Sequence, residues 1–143
     1  METWELAIRE CVRQTLADYT AGTDRNRIDD VAACFAPNGS LAFTGGEPMV
    51  GPTAIVAGLK AQVSRFAQNP VPLTHVRHHV SSMRFGSVSR DRVEVGSYFL
   101  ALTDIGVDHW GRYRDVLVPV DDRWLFTSRE AIAEGFSADS LMR

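Results

Sequence analysis

The chain has 143 residues, of which 45% are hydrophobic and 23% are charged, which predicts one globular domain over residues 1–143 with its own core. The formal net charge is −3 and the arginines are scattered, so neither a nucleic acid nor an anionic membrane is expected as a partner. The acidic N-terminal segment is followed by no long apolar run, which predicts neither a signal peptide nor a membrane span and favours a cytoplasmic protein.

The first 66 residues carry the spacing of three helices. Residues 3–20 place Trp4, Ile8, Cys11, Val12, Leu16 and Tyr19 on one face. This helix is expected to end near Gly22, and a shorter one follows over residues 28–35. The segment APNGS reads as a turn and SLAFT as a short strand, and a third helix begins at Pro52. Cys11 and Cys34 lie in apolar helical patterns without zinc-binding spacing, so both are expected to be buried free thiols.

From residue 74 the apolar period changes from 3.6 to 2, which predicts four β-segments, at roughly 74–85, 92–103, 107–120 and 123–131. Helices followed by a run of antiparallel strands indicate an α+β fold rather than alternating β and α units. We expect the N-terminal helices to pack on the concave face of a curved, mainly antiparallel sheet. Such a cone would have an interior that can hold a small ligand.

Three of the four histidines lie in the segment VPLTHVRHHVSS. Strand alternation places His78 on the apolar face with Val76, Val80 and Ser82, and it sends His75 and His79 to the opposite face. Burial disfavours the charged form of an imidazole unless a carboxylate compensates. His78 is therefore either a structural histidine bonded to the backbone or a general base that a carboxylate orients.

Asp24, in the segment between the first two helices, is the candidate for that carboxylate. An aspartate before a helix is often a cap or an Asx-turn residue. Asn26 could cap the second helix instead, while Asp29 and Asp30 complement its dipole. Asp24 would then be free to hold His78, and the predicted catalytic pair is His78 with Asp24.

Four stretches together resemble the SnoaL-like branch of the NTF2-like superfamily, which includes scytalone dehydratase, lindane dehydrochlorinase and polyketide cyclases. In chain order they are YTAGTDRNRIDDVAACFAPNGSLAF, VGPTAIVAGL, RHHVSS and GRYRDVLVPVDDRWLFTSRE. The resemblance spans residues 4–131. It implies a cone-shaped α+β barrel with a pocket that contains an Asp–His dyad, and the dyad matches Asp24 and His78.

The resemblance also implies substrate-binding positions. Arg129 matches a pocket arginine of the dehydrochlorinase, although it could instead pair with a surface acid, and His109 matches a second pocket histidine of the dehydratase. Further substrate-binding candidates are Tyr19, Tyr113, Trp110 and Phe43, and packing is the alternative for the tyrosines. Trp110 and Trp124 are expected in the core or the pocket wall, and Gly111 at a bend or bulge. Thr23 stands where scytalone dehydratase has tyrosine and Ser82 where many relatives have asparagine, which argues against that particular enzyme.

Two functional hypotheses follow. The first is a cofactor-independent and metal-free acid–base enzyme, a dehydratase or other lyase, an isomerase or a cyclase, that acts on a small apolar cyclic substrate. The alternative is a non-catalytic ligand-binding or structural subunit, like the small subunit of ring-hydroxylating dioxygenases. A homo-oligomer, dimer or trimer, is expected because the convex face of the sheet would expose apolar side chains. The segment AEGFSADSLMR is expected either to be mobile or to cover the pocket through Phe136.

Overall fold

The computed structural model describes all of residues 1–143 and contains three helices and one six-stranded sheet. The helices are α1 (Thr3–Asp24), α2 (Ile28–Ala32) and α3 (Pro52–Phe66). The strands are β1 (Phe35–Phe43), β2 (Met49–Val50), β3 (Val76–Val88), β4 (Val93–Thr103), β5 (Gly106–Val120) and β6 (Arg123–Phe136). The order in the sheet is β2-β1-β6-β5-β4-β3. Every neighbouring pair is antiparallel except β1 with β6, which is parallel.

The predicted α+β fold, with N-terminal helices on a curved sheet, is confirmed. The sheet is mainly antiparallel, as predicted, with β1 and β6 as its one parallel pair. It departs from the expected barrel because it stays open: β2 and β3 are edge strands that do not pair with each other. The APNGS segment lies inside β1, where pairing with β6 jumps from Phe35–Phe126 to Ser40–Ser128. The predicted turn is therefore an irregularity within a strand.

The main core lies between α1 and the inner face of the sheet. Fifteen buried residues form it, among them Val12 and Leu16 from α1 and Leu41, Leu117 and Phe126 from the strands. Burial of such side chains is the dominant favourable term in folding. Trp124 and Cys34 belong to this core, as predicted, whereas Cys11 is exposed. The prediction for Cys11 was wrong because the residue lies at the edge of the helical stripe.

α1 continues two residues beyond Gly22, which faces the second helix and does not end the first. A Cβ atom at Gly22 would lie 2.9 Å from Val31 Cγ2, closer than a real contact, so the glycine lets α1 and α2 approach. Asn26 does not cap α2: it has φ +53°, and the capping position is Arg27, without a side-chain bond. Asp24 is the last residue of α1 and not, as expected, part of the segment between the first two helices.

Irregular pairings within the sheet change which face a residue occupies. On β3 the pairing shifts between Ser81 and Arg84, and Ser82 has φ +51°. One extra residue resets the alternation of a strand. Ser82 is therefore exposed, contrary to prediction, and Met83 and Phe85 pack against the core after it. Alternation predicted the inner face of β3 correctly only as far as Val80.

Candidate active site

The end of α1 and the start of β3 meet at an aspartate–histidine pair. The Oδ1 atom of Asp24 lies 2.7 Å from Nδ1 of His78, and both side chains are only 9% exposed. The backbone amide of His78 also donates to the Asp24 carboxylate, at 3.1 and 3.3 Å. A carboxylate accepts and cannot donate, so this geometry assigns the ring proton to Nδ1 and leaves the lone pair on Nε2. Nε2 has no hydrogen-bond partner within the chain.

Aromatic rings surround His78 on the inner face of the sheet. Its ring centroid lies 6.0 Å from that of Phe99 and 6.0 Å from that of His109. Phe99 in turn packs on Tyr113, with centroids 4.9 Å apart. We call these four residues the ring cluster. It gathers two imidazoles and a phenol on an apolar surface, because β3, β4 and β5 are neighbours in the sheet.

His109 has its own carboxylate, which the sequence interpretation missed. Nδ1 of His109 lies 2.8 Å from Oδ1 of the fully buried Asp108. Consecutive strand residues normally face opposite sides, but β4 pairs Ala101 with His109 and Leu102 with Val107, so Asp108 is the extra residue of a bulge. Both members of the pair therefore point inward.

Burial governs the titration of this second pair. Burial lowers the pKa of His109, and His78 lowers it further, while Asp108 acts in the opposite direction. For Asp108 burial raises the pKa, but hydrogen bonds from Ser140, the Leu141 amide, His109 and Thr103 outweigh it and leave the pKa below its ordinary value. The pair is therefore a neutral imidazole on an ionised carboxylate at neutral pH.

Arg129 is sealed within the core and pairs with an acid that is also buried. Its Nε atom lies 3.0 Å from Oδ1 of Asp115, and both side chains are fully buried. The guanidinium carbon lies 3.6 Å from the ring centroid of Tyr113, 4.1 Å from Tyr19 and 4.7 Å from Phe126. The surface acid considered as an alternative partner is thus excluded. Arg129 does not line the largely apolar cavity beside Asp24; it is among the residues that line a second, more polar cavity.

The remaining predicted contact residues differ in position. Tyr19 and Tyr113 are both buried, and burial raises the pKa of both phenols; the Asp24 carboxylate is a smaller contribution at Tyr113. Phe43 is half-buried and contacts both the main core and the ring cluster. Trp110 is 40% exposed, because it follows the inward His109 and turns to the outer face. The expectation that Trp110 lies in the core or pocket wall is wrong.

A cavity of about 440 Å³ adjoins Asp24 between α2, α3 and the segment 67–75. Its apolar lining includes Ile28, Val31, Leu59, Val63, Phe66, Leu73, Val76 and Met142, and its polar lining includes Gln62, Asn69 and Thr74. His78 is not among the lining residues, although Val76 of the same strand is. The cavity therefore reaches the aspartate–histidine pair from the carboxylate side.

The C-terminal segment packs on this region. Phe136 stacks on His109, with ring centroids 5.5 Å apart and planes at 24°. Leu141 is buried, its carbonyl accepts a hydrogen bond from Asn69 at 2.7 Å, and Met142 lines the cavity. Phe136 contacts His109 but is not among the residues that line the cavity, so the segment does not cover the cavity through Phe136 as one alternative expected; Met142 is the residue of this segment that lines it.

The structure contains no group of three or more histidine, cysteine, aspartate or glutamate residues arranged to hold a metal ion. None of its helices combines the length and the apolar character that crossing a membrane requires.

Comparison with known protein families identifies the family to which this α+β chain belongs. The SnoaL-like domain matches residues 4–130. The chain therefore belongs to the SnoaL-like family.

Solved structures share the fold over almost the whole chain. A putative scytalone dehydratase from Novosphingobium aromaticivorans is 23% identical with a TM-score of 0.78, covering 92% of this chain and 87% of that one. A hexachlorocyclohexane dehydrochlorinase from Novosphingobium barchaimii is 18% identical with a TM-score of 0.76, covering 92% and 90%. A protein from Catenulispora acidiphila, solved in complex with S-DNPA, is 27% identical with a TM-score of 0.78, covering 90% and 95%. A comparison with curated proteins found no match.

Proposed function

We propose that this protein is a cofactor-independent acid–base enzyme in which His78 removes a proton from a carbon atom of the substrate. A leaving group then departs or a double bond moves, which makes the enzyme a dehydratase or other lyase, an isomerase or a cyclase. The observation that carries the proposal is the 2.7 Å contact between Asp24 and the ring of His78, in a setting where each side chain is 9% exposed.

Asp24 would contribute in two ways. It fixes the ring with Nδ1 protonated, so that Nε2 is the basic atom, and its negative charge stabilises the imidazolium that forms after proton transfer. The backbone amide of His78 bonds to the same carboxylate and limits its movement. A positioned base of this kind typically contributes a factor of roughly 10²–10⁴ to the rate.

The surroundings favour a small, largely apolar, cyclic ligand, as the sequence analysis expected. The cavity of about 440 Å³ is walled mainly by aliphatic and aromatic side chains, and a few polar groups at its edge would orient a ligand. Phe43, His109 and Tyr113 do not line this cavity; His109 and Tyr113 belong to the ring cluster around His78, and Phe43 packs against it. The complex of the Catenulispora protein with S-DNPA supports ligand binding in this fold.

The test uses 5-nitrobenzisoxazole, a small apolar bicyclic probe. A base removes the proton from its C3 atom, the N–O bond breaks, and a coloured cyanophenolate forms without any cofactor. The D24N and H78Q variants are expected to lose about 10²–10⁴-fold of the rate, while both should unfold at a similar urea concentration to the native protein. H79Q, one residue along β3 on the exposed side, is the matched control and should keep full activity. Native turnover equal to that of H78Q would refute the proposal.

A ligand-binding protein without turnover is the second candidate, and one observation favours it. His78 does not line the cavity, so a ligand there would meet Asp24 before the base. Saturable binding of the same probe by the native protein, with no conversion, would support this alternative.

We also propose a cytoplasmic location, as the sequence analysis expected.

A further proposal is self-association through the outer face of β4 and β5. Tyr98, Leu100 and Trp110 are 58%, 37% and 40% exposed on neighbouring strands. Exposed apolar surface of this kind is typical of protein interfaces. Sedimentation of native protein and of a W110A/Y98A variant would test this, and a native monomer at high concentration would refute it.

A further inference from the structure

The carboxylate of Asp108 receives four hydrogen bonds, two on each oxygen. Oδ1 accepts from His109 Nδ1 at 2.8 Å and from the Ser140 hydroxyl at 2.6 Å. Oδ2 accepts from the Thr103 hydroxyl at 3.0 Å and from the Leu141 amide at 2.8 Å. The side chain is fully buried, so all of its hydrogen-bonding capacity is used within the chain.

These four donors come from different parts of the molecule. His109 belongs to the ring cluster, whereas Ser140 and Leu141 belong to the C-terminal segment that covers the cavity edge. The backbone strengthens the connection, because the Ser137 amide donates to the Asp108 carbonyl at 2.8 Å. The bulge in β5 makes this arrangement possible, since it turns Asp108 to the same side as His109.

We propose that Asp108 is a positioning residue that holds His109 with Nε2 unprotonated and couples this state to docking of residues 137–142. When the segment is docked, His109 presents an acceptor beside His78, and Met142 closes one wall of the cavity. The use of that acceptor by a substrate rests on the proposed function. The orientation of the ring and its coupling to the segment do not.

The D108N variant tests separately the two proposed roles of Asp108, which are orientation of the His109 ring and docking of residues 137–142. Asparagine accepts at one atom only, so in D108N the amide nitrogen replaces either Oδ1 or Oδ2. In the first case His109 must move its proton to Nε2 to accept a bond. In the second case the Leu141 amide loses its acceptor and the segment is released.

The experiment measures ¹⁵N chemical shifts of the His109 ring nitrogens and hydrogen exchange of the Leu141 amide, both without substrate. For the native protein we expect a protonated Nδ1 and a protected Leu141 amide. D108N should either exchange the roles of the two nitrogens or raise Leu141 exchange by about tenfold or more, since a bond to a charged acceptor is worth about 1.5–3 kcal/mol. Turnover of 5-nitrobenzisoxazole should fall by up to about 100-fold through misplacement of the ring.

Two further variants keep the test decisive if D108N does not fold. S140A and T103V each remove one hydroxyl donor from the same carboxylate, but only Ser140 belongs to the segment. We expect S140A to speed Leu141 exchange by about tenfold and to shift the His109 nitrogen signals, and T103V to do neither. Equal behaviour of S140A and T103V would overturn the proposal, and so would a D108N protein in which both the His109 nitrogen pattern and the Leu141 exchange rate are unchanged. Failure of the proposed function would show separately, as native turnover that does not depend on His78.

Discussion

Two carboxylates that face the interior of this molecule have different surroundings. Asp115 lies in the packed core, paired with Arg129 beneath the rings of Tyr19, Tyr113 and Phe126, and both partners are fully buried. Asp24 lies at the end of α1 beside a cavity, and its histidine partner keeps one ring nitrogen without a bond. The side chains of the first pair are enclosed by the core, whereas Asp24 of the second pair lines a cavity. Burial of charge alone therefore does not distinguish the two pairs.

Burial of Asp115 and the neighbouring guanidinium of Arg129 act in opposite directions on the pKa of Asp115. Burial raises the pKa of Asp115 to about 6, and the guanidinium opposes that rise. Only the contact of Nη2 with Oδ2, at 3.3 Å, has the geometry of a hydrogen bond, and Nη1 has no polar partner. Three aromatic rings lie against the guanidinium instead, where cation–π attraction stabilises it.

The largest expected effect comes from breaking the enclosed pair. Replacing Arg129 with methionine leaves Asp115 as a buried carboxylate without compensation, which should cost about 3–5 kcal/mol in the free energy of unfolding. The double variant R129M/D115L removes both charges and should recover most of that loss. Urea denaturation measures both values, and a loss below about 1 kcal/mol for R129M would contradict the assignment.

A somewhat smaller effect is expected from the packed core itself. Leu41 is completely buried between α1 and the sheet, so L41A should lower the free energy of unfolding by about 2–5 kcal/mol. L100A, at a partly exposed position on the outer face, is the control and should cost less. If the two leucines proved equivalent in urea denaturation, the location of the core would be wrong.

The smallest effect concerns pH. The folded state lowers the pKa of His109 below that of the unfolded chain, so acidification through about pH 6.5 protonates the unfolded state first. Stability is therefore full above that pH and declines below it, until the pH reaches the folded pKa. Asp115 has the opposite effect on stability below about pH 6, because its folded pKa is raised. Asp115 is present in both the native protein and the H109Q variant, so its contribution cancels when the two are compared.

Comparing the native protein with H109Q isolates the histidine contribution. The free energy of unfolding, measured in urea at pH 7.5 and pH 5.5, should fall more for the native protein than for H109Q. Equal changes in both proteins would show that His109 titrates normally in the folded state.

The fold and part of the site could be predicted from sequence. The helical and strand periods predicted the order of the elements except for the two-residue strand β2. Alternation from Val76 to Val80 correctly predicted that His78 lies on the inner face. The bulge expected at Gly111 is present, because pairing with β6 shifts between Trp110 and Gly111. The bulges at Asp108 and Thr127 were not predicted, because no glycine occupies either position and alternation alone does not reveal an extra residue. Alternation across Asp108 would send it outward, so its pairing with His109 was missed. A bulge at Thr127, where Val116 pairs with Ser128 and Leu117 with Phe126, likewise turns Arg129 inward beside Phe126.

The parallel pairing of β1 with β6 has a consequence for how the chain folds. Phe43 pairs with Ala131, and the whole of α3, β3, β4 and β5 lies between them in sequence. Contacts between such distant residues are slow to form because a long loop must close first. Since β6 lies between β1 and β5 in the sheet, β1 lacks its parallel neighbour until β6 has been synthesised. During translation, the order of synthesis thus delays completion of the core until β6 has left the ribosome.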